Sequence, residues 1–177
     1  LEGLTARFAQ LSDAETDALF VRRSSDAVCM RSRLVEEKLA SARARGIKQL
    51  IILGAGLDST AYRLPELTEG LEVFEVDHPA TQAWKRTRLS EAEIAIPDNL
   101  RFVKFDFEQQ TLAAALTAGA VSREAISLFS WLGVQMYLTD AAVKTTLGVL
   151  GTYPAGSELV MDFVMPDYSH QDGLIPD

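Results

Sequence analysis

The chain has 177 residues, 47% of them apolar, which is enough for one globular domain with a sizeable core and argues against disorder over most of its length. Lys and Arg number 17 against 25 Asp and Glu, a net charge of −8, so a nucleic-acid surface, which needs a basic patch to displace counterions, is excluded as the first reading. One cysteine, Cys29, rules out an intrachain disulfide and points to a reducing, cytoplasmic setting; with two histidines it gives no metal-ligand spacing, and no apolar run nears the ~20 residues that span a bilayer.

Residues 1–47 read as a helical segment. Ser12 offers an N-cap, with Glu15 three residues on in capping-box position. From Met30 to Arg45, Leu34, Val35 and Leu39 form one apolar face among charged ones, and Gly46 supplies a C-cap. Cys29 reads as a small apolar residue, buried or half-buried. From residue 48 the rhythm changes. Strand-like runs at 48–53, 72–76, 100–105, 126–132 and 158–164 alternate with helix-like runs at 58–64, 79–89, 111–118 and 140–150. Such alternation predicts an α/β fold over 48–177: a doubly wound, Rossmann-like, mostly parallel sheet with crossover helices. Leu50-Ile51-Ile52-Leu53 is apolar on both faces, as a central parallel strand requires. Residues 166–177 read as loop.

The chemistry concentrates in the first strand–loop–helix–strand unit. The apolar run ends at Gly54-Ala55-Gly56, where two missing Cβ atoms allow unusual backbone angles and close ligand approach. The third glycine of a dinucleotide fingerprint would fall at Ser59, so the contact that brings a helix N-terminus to a pyrophosphate is missing. A nucleoside without phosphate does not need that contact, and S-adenosylmethionine is one. The second strand ends on Asp77, where an acid can accept from two ribose hydroxyls; Glu75, two residues earlier on the same side, is the second choice. The third strand ends on Asp106, placed to accept from an adenine amino group, with Phe107 beside it to lie against the ring. Asp58 reads equally well as a helix cap.

These residues resemble a known family. Leu53-Gly54-Ala55-Gly56-Leu57-Asp58-Ser59-Thr60-Ala61-Tyr62-Arg63-Leu64 is similar to the LGAGLDTRAYRL segment of leucine carboxyl methyltransferase-like proteins. Phe74-Glu75-Val76-Asp77-His78-Pro79 is similar to that family's EVDHP signature, Lys85-Arg86 falls where its helix carries a lysine, and Ser130 to Leu138 resembles its EG-x-x-x-YL region. The resemblance implies a class I, S-adenosyl-L-methionine-dependent methyltransferase of the bacterial O-methyltransferase branch. It implies that Arg31, with Arg33 as a nearby alternative, meets the cofactor's carboxylate. By the same matches Gly54 and Gly56 lie under the methionine part, Asp77 holds the ribose and Asp106 the adenine side. Family members continue past a fifth strand, so further C-terminal strands and helices are expected. Two positions depart from the pattern: the family's glutamate falls at Leu132, and an arginine common in bacterial relatives is Thr60.

Methyl transfer from a sulfonium is an in-line displacement, and the protein's work is to align acceptor oxygen, methyl carbon and sulfur. A carboxylate acceptor needs no general base, whereas a hydroxyl usually does. No base stands out, since His78 and His170 lack visible partners, so the acceptor is expected to be a carboxylate or hydroxyl of a small molecule, or a protein C-terminus. Tyr137 is the residue expected to line the acceptor pocket. Two rivals stand beside this reading. A nicotinamide-dependent oxidoreductase is disfavoured by the missing third glycine and by the lack of a Tyr-x-x-x-Lys pair; a cofactor-binding module without turnover is the other.

Overall fold

The computed structural model describes residues 13–106 and 110–163, with side chains described from residue 25 onward. Helix α1 (Asp13–Ala44) precedes β1 (Gln49–Leu53), and the capping residue Ser12 lies outside the described residues. The remaining elements are α2 (Thr60–Arg63), α3 (Pro65–Thr68), β2 (Glu72–Asp77), α4 (Pro79–Glu91), β3 (Leu100–Lys104), α5 (Leu112–Ala118), β4 (Ser127–Trp131), a 3-10 turn (Gln135–Tyr137), α6 (Asp140–Leu150) and β5 (Glu158–Met161).

The five strands form one sheet in the order β3-β2-β1-β4-β5, every pair parallel. The chain first steps outward from β1 through β2 to β3, then returns to β1's other edge with β4. That reversal leaves a crevice beyond the C-terminal ends of β1 and β4, the place where open α/β sheets bind ligands. β1 is buried at all five residues, as its doubly apolar run predicts.

Strand alternation sorts the core into two layers. Ile51, Leu53, Phe74, Val76, Val103, Phe129 and Trp131 pack against Leu112, Ala115 and Leu116 of α5 and Leu150 of α6. Leu50, Ile52, Val73, Leu128 and Val160 face the other way, against Val35, Leu39 and Ala42 of α1 and Ala61 of α2. α1 therefore shares a core layer with the sheet. Gly46, at φ +90°, turns the chain from α1 into β1 with the Ile47 N–H donating back to the Ala42 carbonyl.

Local differences from the sequence reading have local causes. The first crossover helix, expected over 58–64, is two short helices, because Pro65 lacks an N–H and holds Leu64 out of the helical region at φ −130°, ψ 61°. β5, expected to residue 164, ends at Met161, where Asp162 turns its side chain to other partners. Cys29 is exposed on α1, not buried, in a stretch over residues 25–30 whose side chains are all exposed.

Candidate functional site

The glycine loop is held by the strand beside it. The Gly54 N–H donates to the Val76 carbonyl (2.8 Å), and the Gly56 N–H donates to Asp77 Oδ2 (2.5 Å). Asp77 Oδ1 accepts from the His78 N–H (2.6 Å). Both glycines are left-handed, at φ +65° and +48°, where a side chain is strained. At Gly54 space is lacking too: a Cβ would lie 2.3 Å from Val134 Cγ2. Asp58 takes its structural role, with Oδ1 accepting from the Thr60 N–H (2.9 Å) at the start of α2.

Two cavities open on either side of Gly54, which lines both. One, of about 380 Å³, is bounded by Arg31, Gly56, Asp58, Ser130 and Gly133. The other, of about 480 Å³, is bounded by Asp77, His78, Phe105, Asp106, Val134 and Tyr137. Each is of a size that takes a small molecule. Arg31 and Arg63, with Asp58, thus line one end of the crevice, and the carboxylates Asp77 and Asp106 line the other.

The family follows from the sequence that builds this loop. The leucine carboxyl methyltransferase model matches residues 4–151. This chain belongs to the leucine carboxyl methyltransferase family. Over 134 residues it is 39% identical to YktD of Bacillus subtilis (strain 168), named for S-adenosyl-L-methionine-dependent methyl transfer, covering 75% of this chain and 44% of that protein. A similarly named protein of Mycobacterium avium (strain 104) is 38% identical over 143 residues, covering 77% and 44%. The chain therefore spans less than half the length of these family relatives. Among solved structures, an O-methyltransferase family protein from Burkholderia thailandensis superposes with a TM-score of 0.56 at 17% identity, over 96% of this chain and 47% of that one. At that identity the likeness concerns the fold, which is the Rossmann-like sheet of class I methyltransferases.

The remaining sequence candidates sort by position. Asp77 lies at the rim, beyond the cover of the helices. Glu75 does not, and its place as second choice for the ribose is corrected here. It points to the same side as Asp77 but one pleat deeper, under α4, where it is 1% exposed. Its Oε2 accepts from Lys85 Nζ (2.6 Å), and the same ammonium donates to the Asp58 carbonyl in the glycine loop (2.7 Å). Burial raises the Glu75 carboxyl above its ordinary range, and the Lys85 charge opposes that rise. The Tyr62 hydroxyl, also buried, is raised by desolvation and then by the Glu75 charge. Among the described residues, neither that hydroxyl nor Glu75 Oε1 makes a hydrogen bond of good geometry. This cluster braces the loop from beneath.

Asp106 lies on the second cavity, its Oδ2 3.7 Å from His78 Nε2, while His78 Nδ1 accepts from the Ala80 N–H (3.1 Å) and caps α4. Phe107 lies outside the described residues, as does His170. Tyr137 lines the second cavity, yet it stands on the 3-10 turn six residues past β4 rather than at the strand's end, and it is 82% exposed. Arg31 lines the first cavity. Arg33, the alternative, faces away and pairs with Glu37 (3.1 Å).

Three residues escaped the sequence reading. Asp162, just past β5, accepts from Arg31 Nη1 and from the Gly133 N–H, both at 2.7 Å. The available signal was the same one that marked Asp77 and Asp106, an acid at a parallel strand's C-terminal end. Gly133 is left-handed at φ +69°. Gln135 is buried with both polar atoms of its carboxamide unpartnered among the described residues; no periodicity announces such a residue.

Proposed function

We propose that this chain is the cofactor-binding part of an S-adenosyl-L-methionine-dependent O-methyltransferase. Its acceptor is a carboxylate or hydroxyl of a small molecule or of a protein C-terminus. The observation that carries the reading is the Gly56–Asp77 contact at the sheet's reversal point. It ties a glycine floor to an acidic rim between two cavities. The residues fit the cofactor: Gly54, without a Cβ, lines both cavities, Arg31 matches the donor's carboxylate, and Asp77 matches the ribose diol. Asp106 and Phe107 take the adenine side in this reading. Its relatives' names, and the family's, support the same class.

When bound, the cofactor supplies a methyl group already activated on a sulfonium. The protein's part is placement. Gly54 and Gly56 would admit the donor against the backbone, and Asp77 and Arg31 would hold its two ends and so restrict how it can lie in the crevice. An acceptor carboxylate is ionised near neutral pH and gives up no proton. His78 has one ring nitrogen committed to capping α4, which favours a carboxylate acceptor over a hydroxyl. Tyr137 is the candidate wall of the acceptor pocket.

Calorimetric titration with S-adenosylmethionine, S-adenosylhomocysteine and NAD tests the class. Binding of the first two with micromolar affinity is expected. Heat from NAD alone would place the chain among oxidoreductases. Product assays over a panel of carboxylic acids and phenols then separate an enzyme from a binding module.

A further inference from the structure

We infer that Asp162 is a positioning residue for the amino-acid end of the donor, acting through Arg31. The inference rests on the reading of this cleft as the donor site. Asp162 joins three segments far apart in sequence. Its Oδ2 holds Arg31 Nη1 of α1 at 2.7 Å, and its Oδ1 holds the Gly133 N–H of the β4 loop at 2.7 Å. The guanidinium lies against the bare Cα of Gly133, where a Cβ would come within 2.8 Å of Arg31 Nη2. Arg31 is thus fixed on two sides, by a carboxylate along one edge and by a glycine beneath.

That fixation serves little purpose for folding. Both side chains are partly exposed, at 32% and 26%, and half-solvated ion pairs add little stability. It serves binding well. An unheld arginine must surrender its rotamer freedom when it meets a carboxylate; one already pinned does not. Of the five N–H donors of Arg31, the bond to Asp162 uses one and leaves the fork able to receive a ligand carboxylate on the cavity side.

The test compares two ligands that share the nucleoside and differ in the tail. S-Adenosylhomocysteine carries the amino-acid group; 5′-methylthioadenosine lacks it. Affinities are measured by calorimetry for the wild type, Asp162→Asn, Arg31→Ala and the double variant, with thermal melting as a check on folding. Asn keeps an oxygen for the Gly133 N–H and turns its NH2, a donor, toward the Arg31 guanidinium, so the charge and the acceptor that hold Arg31 are both lost. Asp162→Asn is expected to weaken S-adenosylhomocysteine about five- to tenfold and to leave 5′-methylthioadenosine unchanged. In the Arg31→Ala background it should add nothing. Asp162→Ser repeats the comparison if the Asn variant does not fold. Unchanged or tighter binding of S-adenosylhomocysteine overturns the inference, as does an equal loss for both ligands or a full extra loss in the Arg31→Ala background. If the wild type binds neither nucleoside, the donor-site reading fails first; every other outcome judges Asp162 alone.

Discussion

The two ends of the crevice are built in different ways. The end at Asp77 and Asp106 is made of residues at the tips of adjacent strands, and β2 and β3 fix their spacing through a regular ladder. The end at Arg31 is assembled from a helix, a loop and a fifth strand, with Arg31 and Asp162 separated by 131 positions. The first end comes with the sheet. The second exists only once α1 has docked, and its cation is held by a side chain rather than by backbone geometry. An end fixed by the ladder should tolerate loosening of the helices; an assembled end should not.

The floor shared by both ends gives the largest expected effect. Gly54→Val puts a branched side chain at φ +65° into Val134. Donor binding should fall below detection in calorimetry, while circular dichroism keeps the α/β signature. Retained binding would separate the two cavities from one ligand. Next is the brace beneath the floor. Lys85→Met leaves Glu75 buried without its counter-charge, at a cost of about 3–5 kcal/mol in unfolding free energy by urea titration. Both ends should weaken together, which 5′-methylthioadenosine and S-adenosylhomocysteine would report equally.

At the ladder-built end, Asp77→Ala removes the charge-assisted acceptor for the ribose and should cost about 2–4 kcal/mol in affinity for both ligands. Unchanged affinity would put the ribose elsewhere.

The brace should also show in the pH dependence of stability. Burial raises the Glu75 carboxyl in the folded state above its unfolded value. The fold therefore favours the protonated form. The stability this contributes is fully present below the ordinary Glu value of about 4.3 and is lost as pH rises through the raised folded value. Relative to Glu75→Gln, which does not titrate, the wild type should lose stability across that window and run parallel above it. A difference that is flat with pH would mean that the Lys85 charge cancels the burial. The smallest effect concerns the turn between the ends. Gln135→Met replaces a buried amide, unpartnered among the described residues, with an apolar chain of similar length and should raise Tm by about 2–4 °C. A drop would show that the amide has a partner that matters.

Much of this architecture was readable in advance, and the failures are instructive. Five strands and their parallel order class followed from apolar runs alternating with helical ones, because a buried parallel strand has no polar face to disguise it. Gly54, Gly56 and Asp77 stood out because a loop that turns sharply at a sheet edge needs residues of that kind at that spacing. Glu75 was misjudged, since strand periodicity gives the side on which a residue lies but not the depth at which a helix covers it. Tyr137 falls beyond the strand run expected over 126–132, and its 3-10 turn was not foreseen because three residues are too few to show a helical period.

Sequence alone determined the local grammar of this protein: which runs are strands, where the chain turns on glycine, and that an acid waits at the tip of β2. Those features depend on near neighbours and on the hydrophobicity of each residue. Only the tertiary structure decided which charges meet. It buried Glu75 with Lys85 under the loop and drew Asp162 to Arg31 across 131 positions. A pairing between distant side chains is set by how helices dock on a twisted sheet, and no stretch of sequence records that angle.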